Sequence, residues 1–305
     1  MKKLVVLVSL ALFLLNCQKK NENPNQESQS NDIVIGKIDS LYSEILEEPR
    51  NIWIHLPESA NNSIYTATSY PVVYLLDGNA HFHSVTGMIK QLSTVNGNTK
   101  VPEMIVVGIP NTNRGRDLTP TQVDIDFFTG DSLPFASGGG DKFLDFIEKE
   151  LIPHVEKNYP TTPYRTFIGH SLGGLSVLDA LKTRPDLFNN YIAIDPSLWW
   201  DQGNYLKSLD SVVTNSQYKN KNLYVGVANT LSKDMSFESV QNDTARASFH
   251  IRSIINFVNA MENKQENGLE VDWKYYKDDT HGSAPLITTY DAFRFIFPWY
   301  DMDFL

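Results

Sequence analysis

The chain has 305 residues, a formal net charge of −10 at pH 7, and hydrophobic and charged fractions of 41% and 20%, ordinary proportions for a globular protein. An acidic chain without a basic block lacks the cation density that holds nucleic acid or anionic lipid, so neither is expected as a partner. The single cysteine, Cys17, excludes a disulfide framework and leaves no thiol in the body of the chain for cysteine catalysis or a thiolate metal site.

The N-terminus has its own composition. Met1-Lys2-Lys3 is a basic start and residues 4–15 are an almost unbroken apolar run, too short to span a bilayer comfortably and suited to a signal-peptide core. Leu14-Leu15-Asn16-Cys17 resembles the bacterial lipobox, in which the cysteine is acylated and becomes the new N-terminus. Residues 18–32 carry no large apolar side chain and cannot offset their ordering entropy, which predicts a disordered tether. The expected organisation is therefore a lipoprotein signal peptide over 1–16, a lipidated Cys17 with its tether to 32, and one folded domain over 33–305. Loss of Lys2 and Lys3 with the signal takes the charge from −10 to −12. The lipid is then the only link to the membrane, and the expected location is the bacterial cell envelope, on its periplasmic or surface face.

Residues 33–43 and 50–56 alternate enough for two antiparallel strands joined near Glu47-Glu48-Pro49. Residues 70–76 and 104–110 are continuous apolar runs, as in strands buried on both faces, with a helix expected between them near 85–95. Further strands are expected at Phe167-Ile168, 191–194, 223–227 and 271–276. Between them fall helices over 141–151, capped by Asp141, from the serine turn to about Leu181, and over 249–261. A closing helix is expected over 290–300. The alternation predicts an α/β fold, a mainly parallel sheet of about eight strands covered by helices on both faces. Residues 111–140, polar and rich in Gly and Pro, read as a long loop over the active face.

The strand-to-helix junction at Gly169-His170-Ser171-Leu172-Gly173 fits G-x-S-x-G, the nucleophile elbow of the α/β-hydrolase fold. A serine at the apex of such a turn stands clear of the sheet, and the helix beneath it favours developing negative charge. Serine is a poor nucleophile without a base, and in this fold the partners follow in the order Ser, acid, His. Of the seven histidines, His281 lies just past the last expected strand, where the base belongs. His170 packs beside the elbow in this reading, and His55, His154 and His250 have structural roles. The orienting acid should follow strand 223–227. Asp234 is the nearest carboxylate there and the first choice, with Glu238, Asp243, Asp195 and Asp279 left open. The oxyanion hole is assigned to the backbone N–H groups of Leu172 and Asn79. His81 is placed at the pocket mouth. His81-Phe82-His83 and Asp124-Ile125-Asp126 lack the further ligands that would complete a metal site, so no metal and no cofactor is expected.

The chain also resembles a known family. Val73-Tyr74-Leu75-Leu76-Asp77-Gly78, Arg116-Asp117-Leu118-Thr119-Pro120, Gly139-Gly140-Asp141, Gly169-His170-Ser171-Leu172-Gly173-Gly174, Asp195-Pro196-Ser197-Leu198-Trp199-Trp200 and His281-Gly282-Ser283 occur in the order seen in the esterase D-like family of α/β-hydrolases. Within that family the likeness is to the branch near enterobactin and other siderophore esterases. It implies Ser171 as nucleophile and His281 as base, with Arg116, Trp199 and Trp200 shaping the substrate pocket. The departure is Asn229-Thr230, where the family's acid is expected. The expected function is a serine carboxylic-ester hydrolase working through an acyl-enzyme on a siderophore or a carbohydrate (feruloyl or acetyl) ester. An acyltransferase and a non-catalytic, lipid-anchored binding protein are the alternatives.

Overall fold

The computed structural model describes residues 32–61, 69–209, 212, 218–262 and 268–298. The signal, Cys17 and nearly all of the tether expected from the sequence lie outside them. Ile35–Leu305 forms one compact unit, and the strands and helices of the described residues lie in it.

Eight strands make one sheet: β1 (Lys37–Ser43), β2 (Glu48–His55), β3 (Tyr70–Leu76), β4 (Ile105–Ile109), β5 (Thr161–His170), β6 (Asn190–Ile194), β7 (Lys221–Ala228) and β8 (Leu269–Tyr276). Their spatial order is β1-β2-β4-β3-β5-β6-β7-β8. The β1–β2 and β2–β4 pairings are antiparallel, and all the others are parallel. This is the α/β-hydrolase arrangement. The central strands are buried on both faces, so their near-continuous Val, Ile and Leu runs reflect position rather than alternation. Along β5, Phe167 joins the hydrophobic cluster on one side of the sheet and Ile168 the cluster on the other.

Among the described residues the named α-helices are α1 (Gly78–Ser93), α2 (Arg114–Leu118), α3 (Gly140–Phe146), α4 (Ile152–Asn158), α5 (Leu172–Thr183), α6 (Asn204–Ser208), α7 (Phe237–Val240), α8 (Phe249–Glu262) and α9 (Ala284–Ile296). Three depart from the sequence reading in instructive ways. The first starts at Gly78 rather than near 85, because Asp77 at φ 52° turns the end of β3 directly into the helix. The third is capped by Gly139, not Asp141, and runs through a π turn over Ile147–Leu151 into α4. The closing helix begins at Ala284, six residues before the expected start, since Pro285 suits a first helical turn, where its missing N–H costs nothing. The expected loop over 111–140 contains the short helix α2 and an Ile125–Ser132 bridge.

Every junction that matters for the chemistry lies at the carboxyl ends of the parallel strands: Asp77 after β3, Ser171 after β5, Asp195 after β6, Asn229 after β7 and His281 after β8. Open α/β sheets place their sites at this edge.

Candidate active site

The elbow is built by backbone proximity. Ser171 sits at φ 60° and ψ −118°, a conformation that costs a side-chain-bearing residue about 1–3 kcal/mol. A Cβ on Gly169 would lie 2.3 Å from the Gly173 carbonyl oxygen, so strand and helix meet this closely only with glycine there. The turn is held by the Ser171 N–H donating to Ile194 O (2.9 Å) and the Ser197 N–H donating to Ser171 O (3.1 Å). The Ser171 Oγ lies 3.3 Å from Ser197 Oγ.

His281 is carried by the loop after β8. The Asn229 N–H donates to Asp279 O (2.8 Å) and its side-chain amide to Lys277 O (2.7 Å), which ties that loop to the end of β7. Asn229, standing where a family acid was expected, thus holds the histidine loop in place. The His281 ring packs against His170, centroids 4.4 Å apart, and His170 immediately precedes Ser171.

The carboxylate that meets His281 is Asp195, not Asp234. Asp195 Oδ2 lies 2.5 Å from His281 Nδ1, while Asp234 is exposed in the turn beyond β7. The reason is topological. The order β5-β6-β7-β8 puts the end of β6 one strand from the elbow, and the loop carrying His281, tied to the end of β7 by Asn229, reaches Asp195 there. Asp195 is completely buried, at φ 42°, and its Oδ1 accepts the Ala228 N–H at 3.0 Å. Oδ2 also accepts from His250 Nε2, at 2.9 Å. Burial alone would raise this carboxyl, but the hydrogen bonds from His250 and His281 hold it far below the usual carboxylate range. His250, expected to be structural, therefore belongs to the site. A histidine on a helix carries no local sequence signal for such a role.

Two helix starts face the serine. Leu172 opens α5 and Asn79 lies in the first turn of α1, positions whose N–H groups have no partner within their helices. Arg114 ties these two starts together. Its guanidinium donates to both oxygens of Asp77 (2.7 and 3.0 Å) and to the His170 carbonyl (3.2 Å). Asn111 Nδ2 also donates to Asp77, at 2.5 Å. Burial would raise the Asp77 carboxyl, but these partners, Arg114 first, hold it below its ordinary value. Neither Arg114 nor Asp77 is among the site residues expected from the sequence.

The expected pocket residues divide. His81 is half-buried, edge-on to His170 at 5.9 Å, and its pKa is lowered by burial despite Asp77. Trp199 is partly exposed and packs against Phe128 (4.9 Å) and Phe127 (6.3 Å). Trp200 does not line the pocket. It is fully buried, with its indole N–H donating to Thr121 O and Oγ1, and backs Trp199 from the core. Arg116 is committed as well, to Glu48 and Asp117, and braces the loop rather than offering a free cation. His170 is pushed down to about 4, first by burial and then by the neighbouring His281.

Among the described residues, Asp195, His250 and His281 are the one group with metal-ligand chemistry. As arranged, they do not fit an ion. Ligands on a tetrahedral metal at 2.0–2.2 Å stand about 3.3 Å apart, whereas His281 Nδ1 and Asp195 Oδ2 are 2.5 Å apart, a hydrogen-bond distance. His81 and His83, two residues apart on α1, project in different directions, and His83 is exposed.

With this geometry in view, comparison with known proteins is specific. The profile of the Esterase family, described as "Putative esterase", matches residues 43–275. The chain belongs to this family. It is 30% identical to the ferri-bacillibactin esterase BesA of Bacillus subtilis over 74% of this chain and 78% of that one. A siderophore enterobactin esterase of Emericella nidulans is 37% identical, over 44% of this chain and 48% of its own length. Among solved structures, an IroE-like serine hydrolase from Shewanella oneidensis superposes with a TM-score of 0.76 at 36% identity, covering 86% of this chain and 80% of that one. The chain is accordingly a carboxylic-ester hydrolase of the serine type, near the siderophore-esterase branch of its family.

Proposed function

We propose that this esterase cleaves siderophore esters through an acyl-enzyme, with Ser171 as nucleophile, His281 as general base and Asp195 as the acid that orients it. The observation that carries the reading is the buried Asp195 carboxylate on His281 Nδ1, next to a serine in the elbow conformation. With Nδ1 engaged by Asp195, Nε2 is the nitrogen left to serve Ser171 in this reading. Ser171 Oγ attacks the ester carbonyl and its proton passes to Nε2, which returns it to the leaving alcohol. Water then repeats the cycle on the acyl-enzyme. In this reading the Leu172 and Asn79 amides receive the oxyanion, and each such donor is worth about 3 kcal/mol in the transition state.

The substrate class is supported by the relatives, whose names specify siderophore esters, and by an aromatic shelf. Phe127, Phe128, Trp199 and Phe249 pack in succession up to His250, and Phe128 remains 38% exposed. Such a surface suits the aryl rings of a catecholate ligand. The same shelf would accept a feruloyl ring, so a carbohydrate ester is the second reading. The motive for a non-catalytic binding protein is the missing acid after β7, and Asp195 removes it. The envelope location through lipidated Cys17 remains part of this proposal, resting on the Leu14-Leu15-Asn16-Cys17 pattern.

The test is product analysis of the purified chain with a tricatecholate trilactone, a feruloyl arabinose ester and p-nitrophenyl acetate, with and without added methanol. The expected result is trilactone opening with a kcat/KM at least about tenfold above that for the feruloyl ester, hydrolysis dominating over transfer to methanol. Preference for the feruloyl ester would move the substrate to carbohydrate, and methyl esters as main product would make the chain an acyltransferase.

A further inference from the structure

The acid of the site serves two histidines at one oxygen. His281 Nδ1 and His250 Nε2 both point at Asp195 Oδ2, at 2.5 and 2.9 Å, and their rings meet edge-to-face with centroids 5.4 Å apart. His250 is the second residue of α8 and its side chain is only 12% exposed. Its other nitrogen, Nδ1, is buried and has no hydrogen-bond partner among the described residues. A buried histidine that serves a general hydrogen-bond network engages both nitrogens, since an unpaired buried polar atom is destabilising. Among the described residues, the only hydrogen-bond partner of the ring is the oxygen that also holds the base. A carboxylate only accepts, so Nε2 carries the proton and donates it.

We propose that His250 is a positioning residue which, by donating to the oxygen of Asp195 that holds His281, draws charge from that carboxylate and keeps His281 a weaker base than an unshared Asp–His pair would make it. The inference rests on the esterase reading of Ser171 and His281 and deepens it. The physical argument is competition for one acceptor. A carboxylate oxygen already engaged by one N–H accepts a second less strongly, and imidazolium at His281 gains correspondingly less from it. The surroundings leave this coupling to His250. Ala228 N–H occupies Oδ1. His170 faces His281 from the elbow, with His81 beyond it. Asp279, on the histidine's own loop, accepts from Ser283. Arg246 and Arg252 stack on Phe127 and Phe249 rather than on Asp195.

The experiment is an NMR titration of the purified full chain carrying 13C-labelled histidine, in wild type, His250→Leu and His250→Gln, with the His281 signal assigned by its loss in His281→Gln. Gln places an amide N–H near the position of Nε2, whereas Leu removes the donor. In His250→Leu, His281 should titrate about half a pH unit or more higher than in wild type, and the low-pH limb of kcat/KM should move up with it. His250→Gln should stay within about 0.2 unit of wild type. Should His250→Leu fold poorly, His250→Phe keeps the ring shape without the donor and takes its place. A His281 titration unchanged on loss of the donor, or a Gln variant shifted as far as Leu, overturns the proposal. Because the titration needs no substrate, an inactive wild type would sink the catalytic reading while the histidine shift still decides this one.

Discussion

At the residue scale, the site concentrates conformations and charges that the rest of the chain uses sparingly. Ser171, Asp77 and Asp195 all have positive φ without being glycine, and all three flank the same crevice. Strain of this kind persists only where surroundings over-determine it, here through the Ser171 N–H donating to Ile194 O, Arg114 donating to Asp77 and the Ala228 N–H donating to Asp195. His170 shows the electrostatic side. Held neutral to about pH 4 in the fold, against an ordinary value of 6.5, it takes up its proton in the unfolded chain first. The unfolded state therefore binds more protons between those two values, so stability falls as pH drops from about 6.5 to about 4 and this contribution levels off below. The expected outcome is a Tm that declines through that window in wild type and less steeply in His170→Gln, measured by calorimetry at half-unit pH steps. Parallel slopes for the two proteins would show that His170 is not the group responsible.

At the element scale, the site is an agreement among helix starts and strand ends, and α2 enforces it. Arg114 reaches from α2 to Asp77 at the β3–α1 junction and to the His170 carbonyl at the β5–α5 junction, the two places that supply the proposed oxyanion donors. Arg114→Met leaves the half-buried tie unmade and Asp77 with Asn111 alone. Deleting a donor outright costs about a hundredfold or more, and letting one drift should cost less. We expect kcat to fall about tenfold with KM little changed, accompanied by a lower Tm. An equal loss carried entirely in KM would place Arg114 on the substrate instead of behind the oxyanion donors. This scale also separates what is legible in the sequence from what is not. The elbow and the His281 loop announce themselves locally, as a glycine-bounded turn and as a histidine just past the last strand. Asp195 does not, because its partnership depends on the loop after β8 reaching past β7 to the end of β6, a fact of strand order that no neighbouring residue encodes. Asp234 is the nearer carboxylate along the chain and the wrong one in space. Trp200 reads like its neighbour Trp199 and differs only in being fully buried. The closing helix reads too late in the sequence because the aromatic run of 290–300 outweighs Pro285, whose place in a first turn is the better signal.

At the scale of the whole molecule, a sheet with two covered faces leaves one edge for chemistry, and the chain brings its serine, histidine and acid to that edge from three separate loops. Fold, family and reaction class agree here, from a TM-score of 0.76 to an IroE-like serine hydrolase through to the buried Asp195–His281 pair. Among the described residues no helix is long and apolar enough to cross a membrane. The measurement that reaches the central claim most directly is intact-mass analysis of the purified chain after exposure to a fluorophosphonate, with Ser171→Ala and Asp195→Asn alongside. The account predicts a single adduct on wild type, none on Ser171→Ala, and labelling of Asp195→Asn slowed by about a hundredfold or more, since the base loses its orienting carboxylate. An adduct that persists in folded Ser171→Ala, or undiminished labelling of Asp195→Asn, would contradict it.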